Sequence, residues 1–394
     1  MIHAGAGQSS NASTERAAEQ AAGAAMDQAG VSRADAAIVF FTAEHAANGQ
    51  KLLSTLTRIT RTENIVGSSG AGILTGAGEI EGAPGVAVLV FASDKIQSEP
   101  FLFQPLRERD EDVGAQIAQT LGAAADPHSL AILLPDTYNG QPHQLLRSME
   151  QRMGFIPVVG AGSSENGTAQ ATYQVCGETL TSNAVAGLGL SGSFEAAITI
   201  TQGCQPITKP MVITKAERNL IFEIDGRPAV EHFLRVLKGP LAEDLRRALM
   251  FVFVGLPATA NQNHIAPGEY LVRNIIGLDA DKGIIGVADE VREGQQMIFT
   301  LRDGQRARDD LNQMLQRQAQ KLDGRKPAFG FYFNCCARGS SLYGMPGIDT
   351  AYIRQTLGDF PLLGMFGGYE LAPLGHANHL FAYTGVLALI TEKG

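Results

Sequence analysis

The chain has 394 residues, of which 44% are hydrophobic and 18% charged, and its formal net charge is −9. This composition is typical of a globular protein, and the length allows two or three domains with a large core. The acidic balance and the lack of a Lys/Arg-rich run argue against nucleic acid or an anionic membrane as a partner.

The ends and the cysteines indicate where the protein works. The N-terminus has neither a basic start nor an apolar stretch typical of a signal peptide, and the longest apolar runs are too short to span a bilayer. Four cysteines without paired spacing favour a reducing compartment. We therefore expect a soluble cytoplasmic protein.

The N-terminal part predicts alternating helices and strands. Thr14–Ala29 is Ala-rich and stops before a glycine, as a helix does. Ala36–Thr42 is typical of a buried strand, and Asn48–Thr60 places its leucines at helical spacing. A short strand then runs into the glycine-rich loop Ser68–Gly78, which precedes a further strand at Val86–Phe91.

This unit of strand, helix, short strand ending in Gly, small-residue loop and further strand recurs along the chain. Two more copies cover Leu130–Leu190 and Phe329–Ile390, and a looser fourth copy starts at Leu249. Such recurrence predicts layered sheets with helices on their outer faces, and adjacent strands favour mixed sheets over parallel ones. The predicted fold class is α/β, with duplicated layered mixed sheets and outer helices.

The middle of the chain predicts a junction. Val212–Thr214 and Leu220–Ile224 are β-type runs around a polar turn, which indicates a β-hairpin. Pro228 then stands where a helix would begin, because proline suits the first helical turn. A hairpin that leads into a helix in mid-chain is the expected connection between two halves.

The sequence around this junction resembles the FIST family, whose members combine N- and C-terminal FIST sensory modules. The junction reads GCQPITKP followed by ITKAERNLIFEIDGRPA, and ordered matches continue at Glu269–Arg273, Val291–Gln295, Phe333–Gly339 and Gly364–Phe366. The resemblance implies two packed modules, FIST N-terminal at 31–205 and FIST C-terminal at 206–394, after a helical segment at 1–30.

The resemblance also implies a function. It suggests a bacterial sensory protein of signal transduction that binds a small ligand, an amino acid or related metabolite. We expect no attached signalling domain, so a separate histidine kinase, cyclase or chemoreceptor would read the ligand-driven shift in conformation. Neither enzymatic activity nor a nucleic-acid or membrane partner is expected.

The sharpest candidate cluster is the run Phe333–Gly339, which follows a buried strand where α/β folds place binding groups. Cys335 and Arg338 match the Cys and Arg positions of the family, and Arg338 has the fork that binds a ligand carboxylate. In the alternative interpretation Cys335 is a small buried hydrophobe and Arg338 pairs with Asp349 or Glu370.

Gly364–Pro373 resembles a second family loop and keeps its Glu and Pro. Glu370 is a candidate partner for a ligand ammonium group, with a capping role as the alternative. Tyr369 replaces a glycine of the family pattern and adds an aromatic wall, and Phe366 is a second apolar wall. Arg273, in another polar group, is a further candidate ligand contact.

The stretch Gly67–Gly72 follows a strand, as a phosphate cradle would. No clean helix follows it, so we favour a tight turn that lines a pocket over nucleotide binding. The family's loop carries Cys, Thr and Glu where this chain has Ser68, Gly70 and Ile73. A role for those side chains is therefore not carried over.

Haem is the main alternative for the ligand. Some stand-alone FIST proteins of this size are haem-binding nitric-oxide sensors that regulate a histidine kinase, so the resemblance leaves haem open as a cofactor. Haem needs an apolar slot and an axial ligand. The axial candidates are Cys335, Cys336, His264, His376 and Tyr369.

A second alternative is an enzyme with Cys335 as nucleophile beside His376 or His379. The sequence offers neither an oxyanion loop nor an obvious third member. The same residues lack the spacing of a zinc site. We therefore predict no catalytic residues and no metal.

Overall fold

In the computed structural model the chain forms two compact units, and the structure describes residues 1–122, 129–258, 265 and 268–393. Unit 1 comprises Met1–Thr201, Leu311–Leu380 and Thr384–Gly394, and unit 2 comprises Gln202–Asp310 and Phe381–Tyr383. Along the chain, unit 2 is thus an insertion in unit 1. The limits of these compact units do not test the predicted boundaries of the FIST modules, so those boundaries stay a prediction.

Unit 1 consists of three copies of one β-α-β-α-β-β-β-β pattern, which we call repeats 1, 2 and 3. Repeat 1 contains β1 (Ile2–Ser9), α1 (Thr14–Ala29), β2 (Ala36–Thr42), α2 (Gly49–Thr60), β3 (Ile65–Gly70), β4 (Gly72–Thr75), β5 (Gly78–Glu81) and β6 (Val86–Ser93). Repeat 2 contains β7 (Ile96–Phe103), α3 (Asp110–Gly122), β8 (Leu130–Pro135), α4 (Pro142–Met153), β9 (Val158–Ala161), β10 (Gln174–Cys176), β11 (Thr179–Thr181) and β12 (Val185–Gly192).

Repeat 3 begins with β13 (Phe194–Gln202) and is then interrupted by unit 2. The elements of unit 2 are β14 (Cys204–Pro206), β15 (Met211–Glu217), β16 (Leu220–Ile224), β17 (Arg227–Pro228), α5 (Ala229–Val236), α6 (Pro240–Glu243), α7 (Leu245–Ala248), β18 (Val252–Pro257), β19 (Tyr270–Arg273), β20 (Ile275–Asp279), β21 (Ile284–Val287) and β22 (Gln296–Arg302). Repeat 3 resumes within α8 (Gly304–Leu322), whose residues as far as Asp310 belong to unit 2. It continues with β23 (Phe329–Cys335), α9 (Ser340–Tyr343), α10 (Ile348–Leu357), β24 (Leu362–Gly367), β25 (Glu370–Leu374), β26 (Ala377–Phe381) and β27 (Thr384–Glu392).

The three repeats exchange β-hairpins in a closed cycle. Each repeat builds four strands of a sheet in the same order: β1-β6-β2-β3, β7-β12-β8-β9 and β13-β27-β23-β24. Its remaining hairpin joins another repeat, so β4-β5 extend the sheet at β24, β10-β11 at β3 and β25-β26 at β9. The pairs β2–β3, β8–β9 and β23–β24 are parallel, whereas pairs such as β1–β6 are antiparallel. The predicted α/β class with mixed sheets is confirmed.

The recurring glycine of the sequence pattern has one structural role in all three repeats. A Cβ atom at Gly67, Gly160 or Gly364 would lie 1.8, 1.9 or 2.0 Å, respectively, from the carbonyl oxygen of the opposed residue on the parallel strand. A side chain at these positions would push the two parallel strands apart. Glycine is therefore required where each third strand meets the second.

Small residues also allow the N-terminal helix to pack closely against its neighbouring strand. The predicted Ala-rich helix is present as α1, and it ends at Gly30, whose φ of 65° is left-handed. Its alanines form part of a buried core with β2 and β6. A Cβ on Gly5 of β1 would lie 2.0 Å from the carbonyl oxygen of Ala25. The alanines of α1 and the glycines of β1 thus allow the helix backbone to approach the strand closely.

Unit 2 is built on a nine-stranded sheet in the order β19-β18-β22-β15-β16-β21-β20, with β14 beside β22 and β17 beside β16. The predicted hairpin is confirmed as β15 and β16, and the predicted helix as α5, which begins directly after Pro228. The looser fourth copy predicted from Leu249 is wrong, because β18 pairs antiparallel with both β19 and β22. Its continuous apolar run is a buried strand of an antiparallel sheet.

Candidate functional site

The segments at the ends of β3, β9 and β24 meet in unit 1 and are hydrogen-bonded to one another. The Ser69 hydroxyl donates to the carbonyl oxygen of Ser164 (2.9 Å), and the Ser164 hydroxyl donates to the carbonyl oxygen of Phe366. The Gly162 N–H donates to the carbonyl oxygen of Tyr369 (2.9 Å). Each repeat supplies one of the three segments, so this junction ties the repeats together.

The glycine-rich stretch Gly67–Gly72 contributes to this junction rather than to a helix-backed phosphate cradle. It covers the end of β3, and β4 begins at Gly72, so the prediction that no helix follows is confirmed. The Ser69 hydroxyl also accepts a hydrogen bond from the Tyr173 N–H (3.0 Å). Ser69 thus uses its side chain both as a donor and as an acceptor within the fold.

Repeat 3 holds a buried group of four polar side chains, Asn334, Arg338, Asp349 and Glu370, which we call the polar centre. Asn334 lies near the end of β23, Arg338 in the turn that follows, Asp349 in the first turn of α10 and Glu370 at the start of β25. A carboxylate in the first turn of a helix is favoured by the helix dipole. All four residues have no solvent-exposed area.

Asp349 organises the polar centre as a hydrogen-bond acceptor. Arg338 donates to it through Nε (3.2 Å to Oδ2) and Nη2 (3.2 Å to Oδ1). Asn334 Nδ2, the Tyr332 hydroxyl and the Tyr343 hydroxyl donate to it at 2.9, 3.0 and 2.8 Å. The pairing of Arg338 with Asp349 that the sequence left open is therefore present.

Three buried atoms of the polar centre have no hydrogen-bond partner among the described residues. They are Asn334 Oδ1, Arg338 Nη1 and Glu370 Oε1. Buried polar atoms are nearly always paired, because each unpaired one loses its hydration without compensation. An unpaired set at one place is therefore a feature that needs a physical explanation.

Glu370 has a pKa that its buried surroundings raise strongly. Its Oε2 accepts hydrogen bonds from the Thr384 N–H (3.2 Å) and hydroxyl (2.7 Å). Burial raises the pKa of Glu370 well above its ordinary value, and the neighbouring Cys335 raises it further, while Thr384 and the charge of Arg338 act in the opposite direction. Burial is the largest of these effects, because a low-dielectric environment disfavours the charged form of a carboxyl group.

The other predicted site residues are distributed over both units. Cys335 is 3% exposed and lies beside Glu370, and Phe366 is 1% exposed in the core of repeat 3. Tyr369 is buried in the core of repeat 2, where its hydroxyl has no hydrogen-bond partner among the described residues. Arg273 belongs to unit 2, and its Nε donates to Asp289 (2.6 Å).

Two acids of the exchanged hairpin β4-β5 also contact repeat 3, and the sequence did not indicate them. Glu79 accepts hydrogen bonds from the N–H groups of Gly347 (2.7 Å) and Thr350 (3.1 Å), and Glu81 accepts from the Ser340 hydroxyl (3.0 Å). Burial raises the pKa of Glu79 to about 7, and Asp349 adds to the rise. The only local signal is a pair of acids in alternating positions on a short strand.

The axial-ligand candidates for haem lie in different surroundings. Cys336 and His376 are exposed, and His264 lies outside the described residues. Tyr369 is closely packed, since a Cβ atom on Gly162 would lie 2.4 Å from its ring. Cys335 is buried and lies beside the buried carboxyl group of Glu370. Cys335 and Tyr369 are thus closely surrounded by protein atoms, and haem binding stays a prediction of the family resemblance.

The described part of the chain contains no group of three or more His, Cys, Asp or Glu side chains placed to hold a metal ion. None of its helices combines the length and the apolar character needed to cross a bilayer.

The fold and the polar centre define an α/β protein of three hairpin-exchanging repeats with an inserted second unit. The model of the FIST N domain matches residues 35–227, and that of the FIST C domain matches residues 229–373. The chain therefore belongs to the FIST family, which is associated with sensory signal transduction.

Relatives match the chain over nearly its full length. An uncharacterized protein of Mycobacterium tuberculosis is 26% identical over 388 residues, which cover 98% of this chain and 99% of the relative. An uncharacterized protein of Mycobacterium bovis is 28% identical over 392 residues, which cover 98% of each chain. The names of these two relatives identify no ligand.

Among solved structures, two cyanuric acid hydrolases are similar at a low level. The enzyme from A. caulinodans matches with 10% identity and a TM-score of 0.30, over 49% of this chain and 71% of that chain. A second one matches with 11% identity and a TM-score of 0.37 over the whole of both chains. At these values the likeness carries no conclusion about fold or activity.

Proposed function

We propose that this protein is a sensor of a small zwitterion, an amino acid or a related metabolite, and that the polar centre of repeat 3 is its binding site. The observation that supports the proposal is the set of three unpaired buried atoms, Asn334 Oδ1, Arg338 Nη1 and Glu370 Oε1. A guanidinium N–H is a donor for a carboxylate, Asn334 Oδ1 is an acceptor for an ammonium group, and Glu370 Oε1 is a second acceptor when its carboxyl is ionised. The set is therefore complementary to the two charged groups of an amino acid.

Binding in this site requires opening of repeat 3, because all members of the polar centre are fully buried. The ligand would bind a minor open conformation and increase its population. Its apparent affinity is then reduced by the fraction of molecules that are open. We accordingly expect modest affinity in the absence of a partner that favours the open state.

The contacts of the exchanged hairpin offer a way for the signal to leave the site. Asp349, which holds Arg338, lies in the first turn of α10, and the same turn is bonded to Glu79 through Thr350. A movement of α10 would therefore strain the contact with β5. A separate histidine kinase, cyclase or chemoreceptor that reads the position of this hairpin would complete the pathway.

A thermal-shift screen of the full chain against the common amino acids tests the proposal. A ligand that binds the native state raises the melting temperature by mass action, and at a hundredfold excess over Kd it stabilises that state by about 2.7 kcal/mol. We expect one chemical class of amino acid to stabilise the protein and Glu370→Gln to abolish the response. The amide of this variant keeps an oxygen that can accept from Thr384, so the fold should be retained.

Glu178→Gln is the matched control, because this exposed residue lies outside the polar centre. The control should respond like the parent protein. A parent that no amino acid stabilises, or a Glu370→Gln variant with the full response, would refute the proposed site. Retention of binding by Glu370→Gln together with loss in Glu178→Gln would place the site elsewhere.

A further inference from the structure

Unit 2 contains a cavity of about 630 Å³ that the proposed function does not use. Its floor includes Ile207, Val252 and Leu301, and its rim carries Lys209, Arg235, Lys238 and Arg306. We propose that this cavity binds an amphiphilic anion, a small molecule with an apolar chain and a carboxylate or phosphate head group. The site is independent of the polar centre and would stand if that centre bound nothing.

The floor of the cavity is apolar surface that the fold leaves partly open. Ile207, Val236, Leu241 and Leu301 are partly buried and pack on the margin of the unit 2 core. Covering such surface with an apolar chain is favourable by about 25 cal/mol for each Å² removed from water. The floor therefore suits the hydrocarbon part of a ligand, and the cavity lies within the size range of small-molecule sites, about 300–1,000 Å³.

The rim concentrates positive charge in an acidic protein. Its four cationic side chains come from three segments: Lys209 follows β14, Arg235 and Lys238 lie at the end of α5 and just beyond it, and Arg306 lies in the first turn of α8. No carboxylate residue is among the described lining residues of this cavity, although the whole chain has a net charge of −9. This local excess of positive charge complements an anionic head group.

Helix electrostatics explain only part of this arrangement. Arg235 and Lys238 lie near the carboxyl end of α5, where cations are favoured, and Arg235 also pairs with Glu231 (3.2 Å). Arg306 is in the first turn of α8, where the helix dipole disfavours a cation, and its Nη1 reaches only a carbonyl oxygen, that of Pro206, at 3.4 Å. Lys209 lies in no helix. These two cations are therefore the ones that an anionic ligand best explains.

Isothermal titration of the full chain with decanoate and with decyl phosphate, below their micelle concentrations, tests this site. We expect saturable binding of at least one of them that weakens as salt is raised, and binding at least about tenfold weaker for decanol and for acetate. Tighter binding of decanoate would identify a carboxylate head, and tighter binding of decyl phosphate a phosphate head; either result supports the site.

The double variant Lys209→Gln/Arg306→Gln should weaken decanoate binding by about tenfold or more, because it removes the two cations that helix electrostatics do not explain. Arg227→Gln/Lys282→Gln is the matched control, since it removes the same charge from exposed positions of unit 2. Equal weakening by both variants would show that only the net charge of the protein matters, and it would overturn the proposed site. Equally tight decanol binding, no saturable binding, or binding of an acidic amphipathic peptide in place of both decyl compounds would overturn the proposal.

Discussion

Arg338 and Asp349 form an ion pair in which neither side chain is exposed to solvent, with Nη2 and Oδ2 3.2 Å apart. Asp349 also accepts hydrogen bonds from Tyr332, Asn334 and Tyr343, so its charge is stabilised from several sides. A buried pair of this kind adds little to stability compared with apolar residues, but either charge left alone is costly. The pair therefore constrains repeat 3 strongly.

Removal of Asp349 should be severely destabilising. We expect Asp349→Ala to lower the free energy of unfolding by about 3–5 kcal/mol, because it leaves the Arg338 guanidinium buried without a counter-ion. Denaturant unfolding of both proteins measures the difference. Glu19→Ala, which breaks the exposed pair with Arg58, is the control and should cost about 0–1 kcal/mol. Similar losses in the two variants would contradict a special role for the buried pair.

Glu79 should make stability depend on pH. Its pKa is raised from 4.5 to about 7 in the folded state. Between these two values the folded protein binds more protons than the unfolded chain, so stability falls as the pH rises from about 4.5 to 7 and is constant above. Relative to Glu79→Gln, the parent should lose about 1–3 kcal/mol over this range. Parallel stability curves for parent and variant would show that Glu79 does not titrate in this way.

The glycine that recurs in the three repeats should not tolerate a side chain. Gly67→Ala places a Cβ 1.8 Å from a carbonyl oxygen of β2, so we expect a loss of more than about 3 kcal/mol or failure to fold. Gly23 lies inside α1 with nothing within 4 Å of a Cβ, so Gly23→Ala should stabilise by about 0.5–1 kcal/mol. Thermal unfolding compares the two, and opposite signs are the expected result.

If the polar centre binds an amino acid, binding should release a proton. Burial raises the pKa of Glu370 well above its ordinary value in the ligand-free protein, whereas an ammonium group beside it favours the ionised form. Affinity should therefore rise with pH until the raised pKa of Glu370 is passed, and the binding enthalpy should depend on the ionisation enthalpy of the buffer. Calorimetry in two buffers of equal pH detects this release. A buffer-independent enthalpy would mean that Glu370 keeps its proton and does not contact the ammonium group.

Several candidate residues were recognisable from the sequence, but their partners were not. Arg338 stood out as a polar residue after a predicted strand, Glu370 stood out through the resemblance of its loop to the family, and both lie in the polar centre. Glu79 and Thr350 are 271 positions apart in the chain and are joined by a hydrogen bond of 3.1 Å. Nothing near Glu79 in the sequence indicates that distant contact.

Local sequence alone determined the elements and their repetition. Three features depend only on contacts within one repeat or one hairpin: the alanines of α1, the recurring glycine at Gly67, Gly160 and Gly364, and the turn between β15 and β16. Only the tertiary structure decided which sheet each hairpin joins and where unit 2 interrupts repeat 3. A short strand pairs through backbone groups that all residues share, so its own side chains do not specify a partner from another repeat. That choice depends on the packing of the whole unit, and the burial of Arg338, Asp349 and Glu370 follows from it.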